Sequence, residues 1–268
     1  METILDSIKN NSYSYNEKDS VFWNNKEFVL EAIRIRGYCY NYVCGELRND
    51  KNIIMYAIKN GLSLRCLSNK FRNDKEFVLE AVKIDGMALY YAKDLKNDKE
   101  IVIEAVKNNP YSLYHASIIF RNDKEIIQQA VKIKGIILEY ASNKLKNDKE
   151  IVLSALKNDV KSFYYVSEEL RNNKEIVLEA VKNGLNLFYV SSEFKNDKEI
   201  VLEAIKKDGK SLEWASYKLK TNKKLTLMAL KNIYFVNYRK FNVNIRFIHI
   251  KFDKKLLKRS FLNILKFY

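Results

Sequence analysis

Glycine and proline are nearly missing. The chain has seven glycines and one proline in 268 residues. Turn-rich β architectures and nucleotide-binding sheets need many more glycines, so the composition points to helices. Cysteine is scarce too. Cys39, Cys44 and Cys66 are an odd set confined to one region. They form no disulfide framework, and a reducing, intracellular and cytoplasmic setting is expected. No run of about 18 uncharged apolar residues occurs, so no membrane span is expected. The first residues carry acids where a signal peptide carries bases, and no apolar stretch follows.

Catalytic ingredients are equally sparse. There are only two histidines, His115 and His249. Nucleophilic catalysis needs a Ser or Cys with a base and an acid. Metal binding needs spaced Cys/His sets, and the three cysteines lack a fourth ligand. They are expected to be buried thiols. No glycine-rich phosphate loop is present. Paired acids such as Glu100 and Glu104 recur in several copies, which reads as a solvated stripe. No enzyme, cofactor or metal site is expected.

The chain repeats itself instead. "RNDKEFVLEAV" at 72–82 returns as "RNNKEIVLEAV" at 171–181. Taking the Asp slot of "NDKE" as position 0, copies start at Asn25, Asp50, Asp74, Asp98, Asp123, Asp148, Asn173, Asp197 and Asn222. A fixed period of 24–25 residues over nine copies marks a repeat architecture.

Each column has a physical reading. Asp or Asn at position 0 is a helix N-cap. Glu at position 2, in seven of nine copies, suits the positive helix end. Positions 3, 4, 5, 7 and 8 are mostly apolar, an arc of roughly 200° at 100° per residue. Position 7 is alanine in every copy, so another element approaches closely there. Position 9 is always basic, which suits the negative end. Asn or Gly then closes the first helix. The second half reads as another short helix, with an aromatic, then Ala or Val, then often Ser. The expected fold is therefore all-α: an α-solenoid of about nine helical hairpins spanning residues 1–231, with 1–22 as a cap. Residues 232–268 form a degenerate basic tail.

These columns resemble a tandem helical repeat family known as domain of unknown function 4116. Its "NDKE-(apolar)-(apolar)-L-E-A-V-K" and "L-x-Y-A-S-x-x-L-R" hallmarks match residues 73–82 and 138–146. The match covers about residues 22–231. The resemblance implies a helical repeat and offers no catalytic residues to carry over.

Two stripes could bind a ligand. One is aromatic: Tyr42, Tyr91, His115, Tyr140, Tyr165, Tyr189 and Trp214, with Tyr90 and Tyr164 beside it. It reads either as packing between units or as a ladder lining a groove for protein or peptide. The other is basic, the lysine after each cap. It is interleaved with glutamates and reads as a self-compensated face. The formal charge of +15 is uneven, since residues 232–268 hold nine Lys/Arg and one acid, Asp253. Lysine-rich coding bias accounts for part of the rest.

That tail first alternates like a strand, then reads as a basic amphipathic helix. It fits a decayed capping repeat, an anionic contact through Arg239, Lys240, Arg246, Lys254, Lys255, Lys258 and Arg259, or a shifted reading frame. The leading expectation is a non-enzymatic scaffold or interaction module for protein or peptide. The alternative is nucleic-acid or anionic-membrane-surface binding through the tail and lysine stripes.

Overall fold

The computed structural model describes residues 2–241. After an N-terminal helix α1 (Glu2–Lys9), each copy of the repeat opens with one helix. These are α2 (Lys26–Ile35), α3 (Lys51–Lys59), α4 (Lys75–Ile84), α5 (Lys99–Asn108), α6 (Lys124–Ile133), α7 (Lys149–Asn158), α8 (Lys174–Lys182), α9 (Lys198–Lys207) and α10 (Lys223–Phe241). They lie side by side in sequence order, each touching the next. The result is an all-α solenoid, and among the described residues there is no strand.

The caps form as the columns predict. The Asp98 carboxylate accepts from the N–H groups of Glu100 and Ile101, and Asp123, Asp148 and Asp197 repeat the pattern. Positions 3, 4, 7 and 8 are buried in copy after copy: Ile101, Val102, Ala105 and Val106 in the fourth. They join one continuous core running from Ile8 to Ala229. The N-terminal end is closed by α1 and an aromatic knot. The Trp23 Nε1–H donates to the Tyr13 hydroxyl at 2.8 Å, and the Arg36 guanidinium donates to the Ile8 carbonyl at 3.1 Å.

The second half of each unit departs from expectation. It is not one α-helix. A 3-10 segment such as Gly135–Tyr140 is followed by an extended residue, Ala141 (φ −66°, ψ 153°), and then by a single helical turn, Asn143–Lys146. The break turns Ser142 toward the preceding unit. Its N–H donates to the Arg121 carbonyl at 2.8 Å, and its hydroxyl to Asn122 Oδ1 at 2.8 Å. The same pair recurs at Ser216, with Lys195 and Asn196. A continuous helix would have spent that N–H on its own backbone.

The close approach at position 7 is also specific. A methyl group on Gly135 would stand 2.2 Å from the Ala155 carbonyl oxygen, and one on Gly86 or Gly209 equally close to Ala105 or Ala229. The alanines let the 3-10 segment of one unit lie on the helix of the next. An asparagine completes each joint. Asn158 accepts from Gly135 N–H at 2.8 Å and donates to the Lys132 and Ile133 carbonyls at the end of α6. Asn108 and Asn232 do the same for Gly86 and Gly209.

The variation in unit length has two sources. Two short units turn tightly after the first helix through Gly61 (φ +90°) and Gly184 (φ +100°), a left-handed conformation glycine adopts freely. The third is shortened later, at the turn through Lys93. Two further expectations are corrected. Residues 232–241 continue α10 and do not form a strand, and Asn232 stays in register. Of the three cysteines only Cys39 is buried, while Cys44 and Cys66 are half-buried. Among the described residues no helix is long and apolar enough to cross a membrane.

Candidate ligand-binding face

The 3-10 segments decide where the rings point. At about 120° per residue, positions three apart eclipse. Leu89 and Leu113 are held in the core, and the next two side chains turn outward. The expected column is half-buried at Tyr91, His115, Tyr140 and Tyr165 and exposed at Tyr189 and Trp214. The column just before it is exposed, with Tyr90, Tyr114, Tyr164 and Phe188 presenting about half of their surface or more.

The two columns interlock. Ring centroids lie 5.0 Å apart for Tyr90–His115, 5.3 Å for His115–Tyr114 and 6.0 Å for Tyr114–Tyr140, all edge to face. A second run links Tyr164–Tyr189 at 5.2 Å, Tyr189–Phe188 at 5.1 Å and Phe188–Trp214 at 4.8 Å. Glu139 stands where an aromatic would join the runs, and its carboxylate engages the Tyr165 hydroxyl. Partial burial and then Glu139 push the Tyr165 phenol up. So the sequence-predicted residues Tyr91 through Trp214 fall on one face, spanning six units. Tyr42, in the same sequence column, does not: it packs in the N-terminal knot against Tyr13, Tyr15 and Trp23.

Tyr114 and Phe188 were not legible as the prominent rings. The signal that would have found them is the alternation Tyr, Tyr, Glu, Tyr, Phe, Glu at Tyr90, Tyr114, Glu139, Tyr164, Phe188 and Glu213. An α-helical wheel hides it, because it assigns 100° to residues that advance by 120°.

The two basic columns differ in electrostatics. Lysines one place after each cap reach the next unit's acids. Lys99 lies 2.9 Å from both Asp123 and Glu125, Lys124 lies 2.9 Å from Asp148 and 3.0 Å from Glu150, and Lys174 bridges Asp197 and Glu199. This stripe is neutralised. At its end the pattern stops: Lys224 occupies the place of the glutamate, and Lys198 bridges no acid among the described residues.

The bases two places before each cap lie on the aromatic face. Arg48 and Arg72 are tied to carbonyls of their own turns. Lys96 sits 5.2 Å over the Tyr90 ring and Lys195 5.8 Å over Phe188. Among the described residues Lys96, Lys146, Arg171 and Lys195 bridge no carboxylate. Lys146 and Arg171 flank an open cleft of about 400 Å³ that also meets Tyr164, Tyr165, Ser167 and Asn143. An equivalent cleft of about 290 Å³ lies between the first two units, beside Arg65 and Cys66.

His115 is packed among rings, and burial, then Lys96, lowers its pKa, so the imidazole is neutral at pH 7. Cys39 lies in the core of the first unit, far along the chain from His115, and burial pushes its thiol up to about 11. Among the described residues no group of His, Cys, Asp and Glu is arranged to hold a metal ion. Of the basic contact residues, Arg239 and Lys240 lie on α10, while Arg246, Lys254, Lys255, Lys258 and Arg259 lie outside the described residues.

A family model described as a domain of unknown function, DUF4116, matches nine overlapping segments, from residues 1–48 and 25–72 through 173–220 and 197–252. Each begins one unit after the last and covers about two units. No curated protein and no solved structure matches the chain.

Proposed function

The chain belongs to the DUF4116 family, and on that premise we propose that it is a non-enzymatic repeat scaffold that binds protein through an extended peptide laid along the aromatic face. The observation that carries this reading is the pair of half-exposed ring runs on one face, Tyr90 to Tyr140 and Tyr164 to Trp214. A packing role accounts for the buried side of those rings but not for Tyr114, which is 61% exposed. Monomeric surfaces seldom present contiguous apolar area of this kind without a partner. Aromatic anchors with adjacent cations are the usual energetic centre of an interface.

A random peptide library panned on the full-length protein tests the reading. Peptides selected on the wild-type chain are expected to lose at least about tenfold in affinity for Tyr114→Ala and Phe188→Ala, the loss expected for one truncated interface anchor. Peptides that bind both variants as tightly as the wild type would refute it.

A second reading is favoured by one feature: Lys198, Lys223 and Lys224, near the basic stretch 232–268 in sequence, bridge no carboxylate among the described residues. On this reading that end contacts an anionic surface. Binding to vesicles containing anionic lipid, or to oligonucleotides, would then fall steeply with salt and weaken in Lys223→Glu/Lys224→Glu. Salt-independent binding would exclude it.

A further inference from the structure

The aromatic face has a period, and the period selects a ligand. Every unit from Tyr90 to Trp214 contributes at least one ring and four of the six contribute two, joined by contacts of 5.0 and 5.3 Å at Tyr90, His115 and Tyr114. Helices packed side by side advance by about 8–10 Å. A polyproline II helix advances by about 9.3 Å per three-residue turn. A β-strand repeats its side chains every two residues, about 6.7 Å, and falls out of step within a few units. Successive nucleotides in a stacked strand are closer still. Within each run the edge-to-face rings, 4.8–6.0 Å between centroids, leave no gap into which a base could slide, whereas their ridges suit the pyrrolidine edges of a proline helix.

Charge sets the rest. One basic residue recurs per unit on this face, and Lys96, Lys146, Arg171 and Lys195 bridge no carboxylate among the described residues. Their period equals that of the rings, one per turn of the ligand. Glu139 and Glu213 interrupt the exposed column and mark turns at which an acid on the ligand is disfavoured. Resting on the peptide reading above, we propose that the occupant is a proline-rich segment in the polyproline II conformation, with acidic side chains spaced by multiples of three residues.

Six units, from Tyr90 to Trp214, match six turns, about 18 residues. The test uses the full chain and three synthetic peptides of that length: repeats of Glu-Pro-Pro, of Glu-Gly-Ser and of Lys-Pro-Pro. Calorimetric titration gives affinity, and the fluorescence of Trp214 reports occupancy of the ladder end. The Glu-Pro-Pro peptide is expected to bind at least about tenfold tighter than either control, since a preformed helix loses less entropy on binding. Tyr114→Ala, at a surface ring whose loss leaves the core intact, is expected to cost it about tenfold. If Glu-Gly-Ser binds as tightly as Glu-Pro-Pro and Tyr114→Ala weakens both, the polyproline assignment falls and the peptide reading stands. The polyproline assignment falls in the same way if library peptides bind at Tyr114 and none of the three repeats does. If no peptide binds and an oligothymidylate does, both fall.

Discussion

Gly135, Ala155 and Asn158 make the tightest joint of the solenoid, and each is there for its size or its amide. Gly135→Ala would place its methyl 2.2 Å from the Ala155 carbonyl, an atom held by helix α7. The neighbouring backbone has to shift, at a cost of about 1–3 kcal/mol. Gly61→Ala meets nothing within 4 Å, so only the φ of +90° is penalised, about 1 kcal/mol. Chemical denaturation of both variants checks the order, and equal losses would show that the joint is not close-packed. Asn158→Asp keeps the acceptor for Gly135 N–H but removes the donor to the Lys132 and Ile133 carbonyls. It also sets a negative charge against the C-terminal end of α6, where the dipole is unfavourable. It is expected to lower stability more than Asn158→Ala, by urea midpoint at neutral pH. The invariance of the alanine column was legible from sequence, because a strict repeat exposes what every copy needs. Its partner was not, since the contact is to backbone in the neighbouring unit and leaves no residue pair to read.

The helix starts carry the molecule's pH dependence. Burial alone would raise the Asp123 carboxyl, but Lys99 and the N–H groups of Ile126 and Glu125 outweigh it and hold the pKa below 3.8. Asp50, Asp98, Asp148 and Asp197 are shifted the same way by the same kinds of partner. A carboxyl whose folded pKa is depressed stabilises the fold above its unfolded value, and that contribution is lost as pH falls through the folded one. Melting temperature is therefore expected to hold from pH 7 to about 5 and to drop below about 4. Lys99→Gln is expected to raise the Asp123 pKa, measured by carboxyl NMR titration. An unchanged value would mean that the cap N–H groups alone hold it down. The caps and this compensation were legible because they obey spacings inside one sequence motif. The break in each second half was not: Ala141-Ser142 reads as helix by propensity, and the bond that opens it, Ser142 to Arg121, joins residues in different units. The same misreading of pitch hid Tyr114 and Phe188 on the candidate face, though Tyr91 through Trp214 were named.

Across the whole molecule the joints are of two kinds. The glycine N–H meets the next unit's asparagine amide oxygen at Gly86–Asn108, Gly135–Asn158 and Gly209–Asn232, and the Asn60 backbone carbonyl at Gly37. Between these pairs the slot holds Leu62, Pro110, Val160 or Leu185, and Asn183 turns back to the Glu179 carbonyl of its own helix. Through the sixth unit, joints with a glycine–asparagine pair thus alternate with joints that lack one. The seventh unit is the odd one: no glycine–asparagine pair joins it to either neighbour, while Ser216 of the eighth unit still bonds to its Lys195 and Asn196. In an array with nearest-neighbour contacts, stability is a sum of local terms and opening begins at the weakest interface. The seventh, eighth and ninth units are therefore expected to open as one block, separately from the first six. Trp23, buried in the N-terminal knot, and Trp214, in the eighth unit, report the two blocks. The fluorescence of Trp214→Phe follows Trp23 alone, and subtraction from the wild type isolates Trp214. Gly209→Ala, whose methyl would lie 2.3 Å from the Ala229 carbonyl, is expected to lower the Trp214 midpoint and leave that of Trp23 in place. Gly37→Ala, where the clash is with the Asn60 carbonyl at 2.4 Å, is expected to do the reverse. If either substitution moves both midpoints equally, the solenoid unfolds as a single cooperative body and the joint between the sixth and seventh units is no weak seam.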